Sequence, residues 1–252
     1  MSNNNGKLFV LGIGPGGLDY MTARTRQLIE MSDAVAGYNK YIELINPLVR
    51  DKEIISTGMT KEIERVDMAI DAAASGKTVS LVCSGDSGIY GMAGLVYERM
   101  DEKNTQIEVE VSPGVTAGIA AGSLLGSPLT NDFITISLSN LLTPTETVKK
   151  RIITAAQSDM ATAVYNPISK RRKELIEFLK NQFLQFRDKS TPVGIVTHAL
   201  REGQRVEIRT LEDFLDAEMD MNSILIIGNS DTCIINGKMV TRRGYERKEK
   251  AA

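Results

Sequence analysis

The stretch LFVLGIGPGGLDYMT, Leu8 to Thr22, joins an apolar run to a glycine-rich turn and then to the start of a helical pattern. Strand, tight turn and helix in that order point to an α/β fold. Gly12, Gly14 and Gly17 also satisfy G-x-G-x-x-G, the dinucleotide fingerprint. That fingerprint needs an acid closing the second strand, about 20 residues on, to hold ribose hydroxyls. The next apolar run, DAVAG, closes on Gly37-Tyr38-Asn39-Lys40, and Asp33 stands before it instead. Pro15 further removes one backbone N–H from the loop. The dinucleotide reading lacks its partner residue. The loop serves another ligand, or it is a turn with no ligand at all.

Outward from this stretch, short apolar runs alternate with amphipathic ones along the whole chain. Strands are predicted at Lys7–Gly12, Ala34–Gly37, Glu53–Ser56, Thr78–Cys83 and Ile107–Val111. The spacing predicts a helix over Thr60–Ser75, with Ile63, Val66, Ile70 and Ala73 on one face and Gly76 as its stop. After SPGVTAG the pattern restarts. Strands follow at Phe133–Ser137, Ala161–Tyr165, Val193–Thr197, Arg205–Thr210 and Ser223–Ile227. A helix over Arg171–Phe186 carries Leu175, Leu179, Phe183 and Phe186 on its apolar side. The expectation is two α/β domains, residues 1–115 and 116–245, with the boundary near Gly114–Gly118 and a tail at 246–252.

Composition excludes several classes. With 30 Lys+Arg against 32 Asp+Glu there is no basic field for nucleic acid. One histidine and two cysteines cannot build a Cys/His metal centre or an iron–sulfur cluster, so no metal is expected. Both Cys83 and Cys233 lie in apolar runs and are expected to be buried, inert thiols in a reducing compartment. MSNNNGK has no apolar leader, and no apolar run reaches the roughly 18 residues of a membrane span. The expectation is a soluble cytoplasmic protein with no membrane partner.

Two further strand ends bear glycine. LVCSGDSGIYGMAG runs from a buried strand into Ser84-Gly85-Asp86-Ser87-Gly88, and VSPGVTAG leaves another strand through Pro113-Gly114. Glycine lets backbone approach closely, and ligands of open α/β sheets gather beyond C-terminal strand edges. Three such ends in one domain point to one site. Asp86 is read there as an exposed acceptor.

At this point the residues resemble a known family. Gly12–Gly16, Gly85-Asp86 followed by Ile89-Tyr90-Gly91, and Pro113–Ala117 look like the signature of the tetrapyrrole (corrin/porphyrin) methylases, matched over essentially the whole chain. GYNKY (Gly37–Tyr41), SGDSGIYGMA (Ser84–Ala93), SLSNLLTP (Ser137–Pro144), YNPISKRR (Tyr165–Arg172) and TRRGY (Thr241–Tyr245) resemble its branch acting at C-17 of a precorrin-3 or cobalt-precorrin-3 type ring, with ring contraction, in cobalamin biosynthesis. The resemblance implies two α/β domains with S-adenosylmethionine folded in a cleft between them, a homodimer, and a small-molecule tetrapyrrole as substrate. It also implies that the first glycine loop, Gly14 included, faces the tetrapyrrole trough.

Carried over residue by residue, the resemblance places Pro15, Ser84, Gly85, Asp86, Ile89, Thr116, Ala117, Tyr165 and Ala199 around the donor. Some members of the family carry an aspartate just after the second strand as base. This chain has Tyr38, which leaves the catalytic base unassigned and Tyr38 itself on the substrate side. Ser139 and Asn140 are read either as groups serving the contracting ring or as turn residues. Arg171 and Arg172, in a basic run that opens a helix against its dipole, are read as grips for substrate carboxylates or as a solvated patch. His198, with no sequence neighbour to pair with, is read as structural or as a site residue. A sibling methylase, a non-catalytic tetrapyrrole carrier and, more distantly, an oxidoreductase stay open.

Overall fold

A computed structural model describes residues 6–168 and 173–245, in two compact units, Met1–Ala117 and Gly118–Ala252. The first unit holds β1 (Lys7–Gly12), α1 (Ala23–Met31), β2 (Ala34–Tyr38), α2 (Asn39–Leu44), α3 (Asn46–Val49), β3 (Glu53–Thr57), α4 (Glu62–Ala74), β4 (Thr78–Cys83), α5 (Ala93–Glu102) and β5 (Glu108–Ser112). Its sheet is wholly parallel, in the order β3-β2-β4-β1-β5. Both faces are covered. Leu28 and Ile29 of α1 and Val49 of α3 pack with Phe9, Leu11 and Val35 on one side. Val66 and Ile70 of α4 and Val96 of α5 pack with Leu8, Val10, Val79 and Leu81 on the other. That is why KLFVLG and TVSLVC read as near-continuous apolar runs and not as alternating ones. Each such fully buried side chain contributes about 1.5–3 kcal/mol over exposure. From β1 the chain crosses towards β2, and from β4 it crosses the other way to β5. The sheet's switch point is therefore between β4 and β1, at their C-terminal ends.

The second unit opens with α6 (Ala117–Leu125) and continues through β6 (Gly126–Ser127), β7 (Phe133–Ser137), α7 (Thr145–Gln157), β8 (Ala161–Tyr165), α8 (Lys173–Phe183), β9 (Pro192–Thr197), β10 (Arg205–Thr210), β11 (Ser223–Ile227), β12 (Thr232–Ile235) and β13 (Lys238–Thr241). Its main sheet runs β10-β9-β11-β8-β7. β7 and β8 are parallel, and β11 lies antiparallel to both β8 and β9. The C-terminal ends of β7, β8 and β9 therefore share one edge. Val148 and Ile152 of α7 and Leu179 and Phe183 of α8 cover one face. Behind them Arg187, buried, donates to the carbonyls of Ala155 (3.2 Å), Met160 (2.8 Å) and Gly228, and lies 4.6 Å from the Phe183 ring centre. Burial pulls its guanidinium pKa down to about 10, against the opposing pull of the Asp159 charge.

Four sequence expectations need correction. On α4, Ile63 is 56% exposed while Arg65 is only 2% exposed, so the buried stripe is 65, 66, 69, 70 and 73. The helix ends at Phe183, and Phe186 points out from the turn beyond it. Cys83 is buried and its thiol is pushed up to about 11 by that burial, but Cys233 is only half-buried, on the two-stranded ribbon β12–β13. That ribbon joins β6 in a three-stranded sheet that the apolar runs did not announce. Ser169, Arg171 and Arg172 lie outside the described residues. Among the described residues no helix is long and apolar enough to cross a membrane.

Candidate active site

The three glycine-bearing ends of β1, β4 and β5 do converge. Gly14 and Gly85 pair as an antiparallel bridge: Gly14 N donates to Gly85 O at 3.0 Å, and Gly85 N to Gly14 O at 2.7 Å. Both have positive φ, +79° and +69°. A Cβ on Gly14 would come within 2.6 Å of the Tyr20 carbonyl oxygen, and one on Gly114 within 2.1 Å of that of Gly85. These glycines are explained by backbone packing on backbone. The fingerprint loop hands its N–H to the neighbouring loop, which leaves no open phosphate cradle at Gly14. Gly14 itself is buried.

Asp86 is likewise not a free acceptor. It is half-buried. Its Oδ1 accepts from the backbone N–H of Gly88 (2.8 Å) and Ile89 (3.0 Å), and its Oδ2 from that of Gly114 (2.9 Å). A carboxylate has about four acceptor sites, so roughly one remains for a ligand. Below the loops, Ser87 Oγ donates to Ser112 O (3.1 Å), and Thr25 Oγ1 lies 3.0 Å from Ser112 Oγ. Gly85 also stands beside the segment that carries Thr116 and Ala117; a Cβ on it would lie 3.6 Å from Thr116 Cα and 3.7 Å from Ala117 N. Gly14, Pro15, Ser84, Gly85, Asp86, Thr116 and Ala117 thus occupy one sheet edge. Pro15 and Thr116 are buried, Ser84 is half-buried and Ile89 is exposed. Tyr38 ends β2, next to β4. Its ring meets Tyr41 edge-on at 5.2 Å and has the Arg65 guanidinium 6.0 Å from its centre.

In the second unit the common edge of β7, β8 and β9 gathers the rest. Tyr165 is buried, and its hydroxyl accepts from Gly118 N–H at 2.9 Å, in the first turn of α6. Ala199, also buried, is flanked by His198 (φ +53°) and Leu200 (φ +57°), two non-glycine residues in the left-handed region. Such strain is found where the surroundings over-determine a backbone. Here Leu200 N donates to Gln204 Oε1 at 2.9 Å, and His198 has the partner its sequence neighbours do not provide: Asp220 Oδ2, 2.9 Å from Nε2. Ser139 N donates to Ser137 Oγ (3.1 Å), Asn140 Nδ2 to Thr145 Oγ1 (3.1 Å), and Asn166 Nδ2 to Ser137 Oγ (3.0 Å). Ser139 and Asn140 thus both make local turn hydrogen bonds.

Residues 7–215 match the tetrapyrrole (corrin/porphyrin) methylases. The chain belongs to that family. Among tetrapyrrole methylases it is 46% identical to the cobalt-factor III methyltransferase of Priestia megaterium over 96% of this chain and 46% of that protein, so it spans about half that relative's length. It is 45% identical to the probable cobalt-factor III C(17)-methyltransferase of Methanocaldococcus jannaschii, over 96% of this chain and 99% of that one. The crystal structure of the methyltransferase CobJ superposes with a TM-score of 0.87 at 29% identity, covering 94% of this chain and 100% of that one.

Two neighbours of the predicted site residues escaped the sequence reading. Asp220 lies 22 positions from its partner His198, with no local signal. Arg65 carried one, since 65, 66, 69, 70 and 73 share a helical stripe.

Proposed function

We propose that the chain is an S-adenosylmethionine-dependent C-methyltransferase acting at C-17 of a precorrin-3 or cobalt-precorrin-3 type tetrapyrrole as the ring contracts, in cobalamin biosynthesis. The observation that carries this reading is likeness along the whole chain to a relative of the same length named for a C(17)-methyltransferase. S-adenosylmethionine supplies a methyl group on a sulfonium, already activated for displacement. What the protein adds is position. Holding a ring carbon in line with the methyl–sulfur bond supplies several kcal/mol, up to about 7–11 in ideal cases. Pro15, Ser84, Gly85, Asp86, Ile89, Thr116, Ala117, Tyr165 and Ala199 are assigned to the donor in this reading. The glycine bridge keeps the Pro15 and Ser84 loops at a fixed spacing. Gly14, Tyr38, Ser139, Asn140, Arg171 and Arg172 are assigned to the substrate side.

The family resemblance carries two further proposals, a cytoplasmic location and a homodimer, the second read by light scattering. The reaction is tested by incubating the purified chain with S-adenosylmethionine and a precorrin-3 type ring. The expected product has gained one methyl group at C-17. Methylation elsewhere on the ring, or only of a different tetrapyrrole, overturns the assignment.

A further inference from the structure

We propose that Arg65 is an anion subsite, its buried guanidinium taking one carboxylate of the substrate at the C-terminal edge of the first unit's sheet. The proposal rests on the tetrapyrrole reading above for the class of substrate and adds the group that recognises it.

Arg65 is 2% exposed, in the opening turns of α4. A guanidinium carries five N–H donors. Nη2 donates to Gly58 O at 2.9 Å. Nη1 reaches only the Met92 thioether, a weak acceptor, at 3.6 Å. Nε has no partner. Among the described residues no carboxylate forms an ion pair with it. The start of a helix is the positive end of its dipole, a poor place for a cation. A buried charge without a counter-ion is unfavourable, and a methionine or leucine would fill the stripe without that penalty. Arg187 offers the contrast: its two Nη atoms reach three carbonyls, as a structural tie should.

The surroundings favour a ligand. Arg65 is enclosed by three segments: Tyr38 at the end of β2, Gly58 just after β3 and Met92 at the start of α5. Gly58 and its neighbour Met59 are exposed, and Tyr38 is only half-buried. An unbranched methionine side chain moves aside readily, and its sulfur gives way to a better acceptor. Carboxylate oxygens match the flat guanidinium fork in geometry and charge.

The test is a fluorescence titration of the whole chain, without methyl donor, with a tetrapyrrole octacarboxylate and with its octamethyl ester. The wild type is expected to bind the acid more tightly than the ester. Arg65→Met should lose at least about tenfold in affinity for the acid and nothing for the ester, with unchanged affinity for S-adenosylhomocysteine. Arg65→Lys keeps the charge without the fork and should fall between them; it also serves if the methionine variant does not fold. Equal binding of the acid by wild type and variants overturns the subsite, and so does a wild type that does not prefer acid to ester. Failure of methyl transfer with this binding intact counts against the functional reading alone.

Discussion

Asp86 ties two strand-end loops together through three backbone N–H groups. Asp86→Ala strands those donors and is expected to lower stability by about 1–3 kcal/mol, read by urea denaturation, and to weaken S-adenosylhomocysteine binding at the same time. An unchanged denaturation midpoint would mean that the glycine bridge alone holds the loops. Asp220 makes a prediction in pH. Burial pushes its carboxyl up, but the hydrogen bonds from His198 and from the Asn222 N–H, with the His198 and Arg205 charges, outweigh it and hold the carboxyl below the ordinary aspartate range. The folded value being the lower one, the stabilisation is present above the unfolded aspartate value near pH 4 and is lost as pH falls through the folded one. Asp220→Asn should therefore flatten the acid limb of the stability profile below about pH 4. Identical limbs would show that the pairing with His198 contributes nothing to folding.

Helices and strands show how one contact sets an element's place. Tyr165, closing β8, fastens the first turn of α6 through Gly118. A Cβ on Gly118 would stand 2.7 Å from the tyrosine hydroxyl oxygen. Tyr165→Phe removes one hydrogen bond and is expected to lower stability by about 0.5–1.5 kcal/mol. Gly118→Ala should be worse, since tyrosine and helix must part. Because the phenylalanine also removes the clashing oxygen, the double variant should lose less than the sum of the two single losses. Strict additivity in thermal denaturation would refute this account of the junction.

For the molecule as a whole, the arrangement of backbone donors bears on what binds. With the Gly14 and Gly85 amides paired to each other, the first sheet's switch point has no free N–H at either position for a pyrophosphate. S-adenosylhomocysteine is expected to raise the melting temperature by binding the native state, and NAD and NADP are expected to leave it unchanged. A shift with either nicotinamide dinucleotide would reopen the dinucleotide reading of the opening glycine loop.

Several features were legible in the chain itself. KLFVLG, TVSLVC, FITIS, ATAVY, RVEIRT and SILII are strands at the residues read from their apolar runs, because a run bounded by glycine or polar turns is a local signal. The family, too, was legible from motifs at the strand ends. Tertiary structure decided the rest, wherever the cause lies far along the chain. Two-residue β6 exists only because β13, more than a hundred positions later, pairs with it. His198 meets Asp220, and Gly12 and Gly114 are glycines because their backbones touch each other and the Gly85 carbonyl. On α4 the helical period allowed either Ile63 or Arg65 to face inward. In the fold it is Arg65 that turns inward, to the Gly58 carbonyl, the Met92 thioether and the Tyr38 ring. Spacing along a chain sets which residues share a face; what that face meets is a property of the fold.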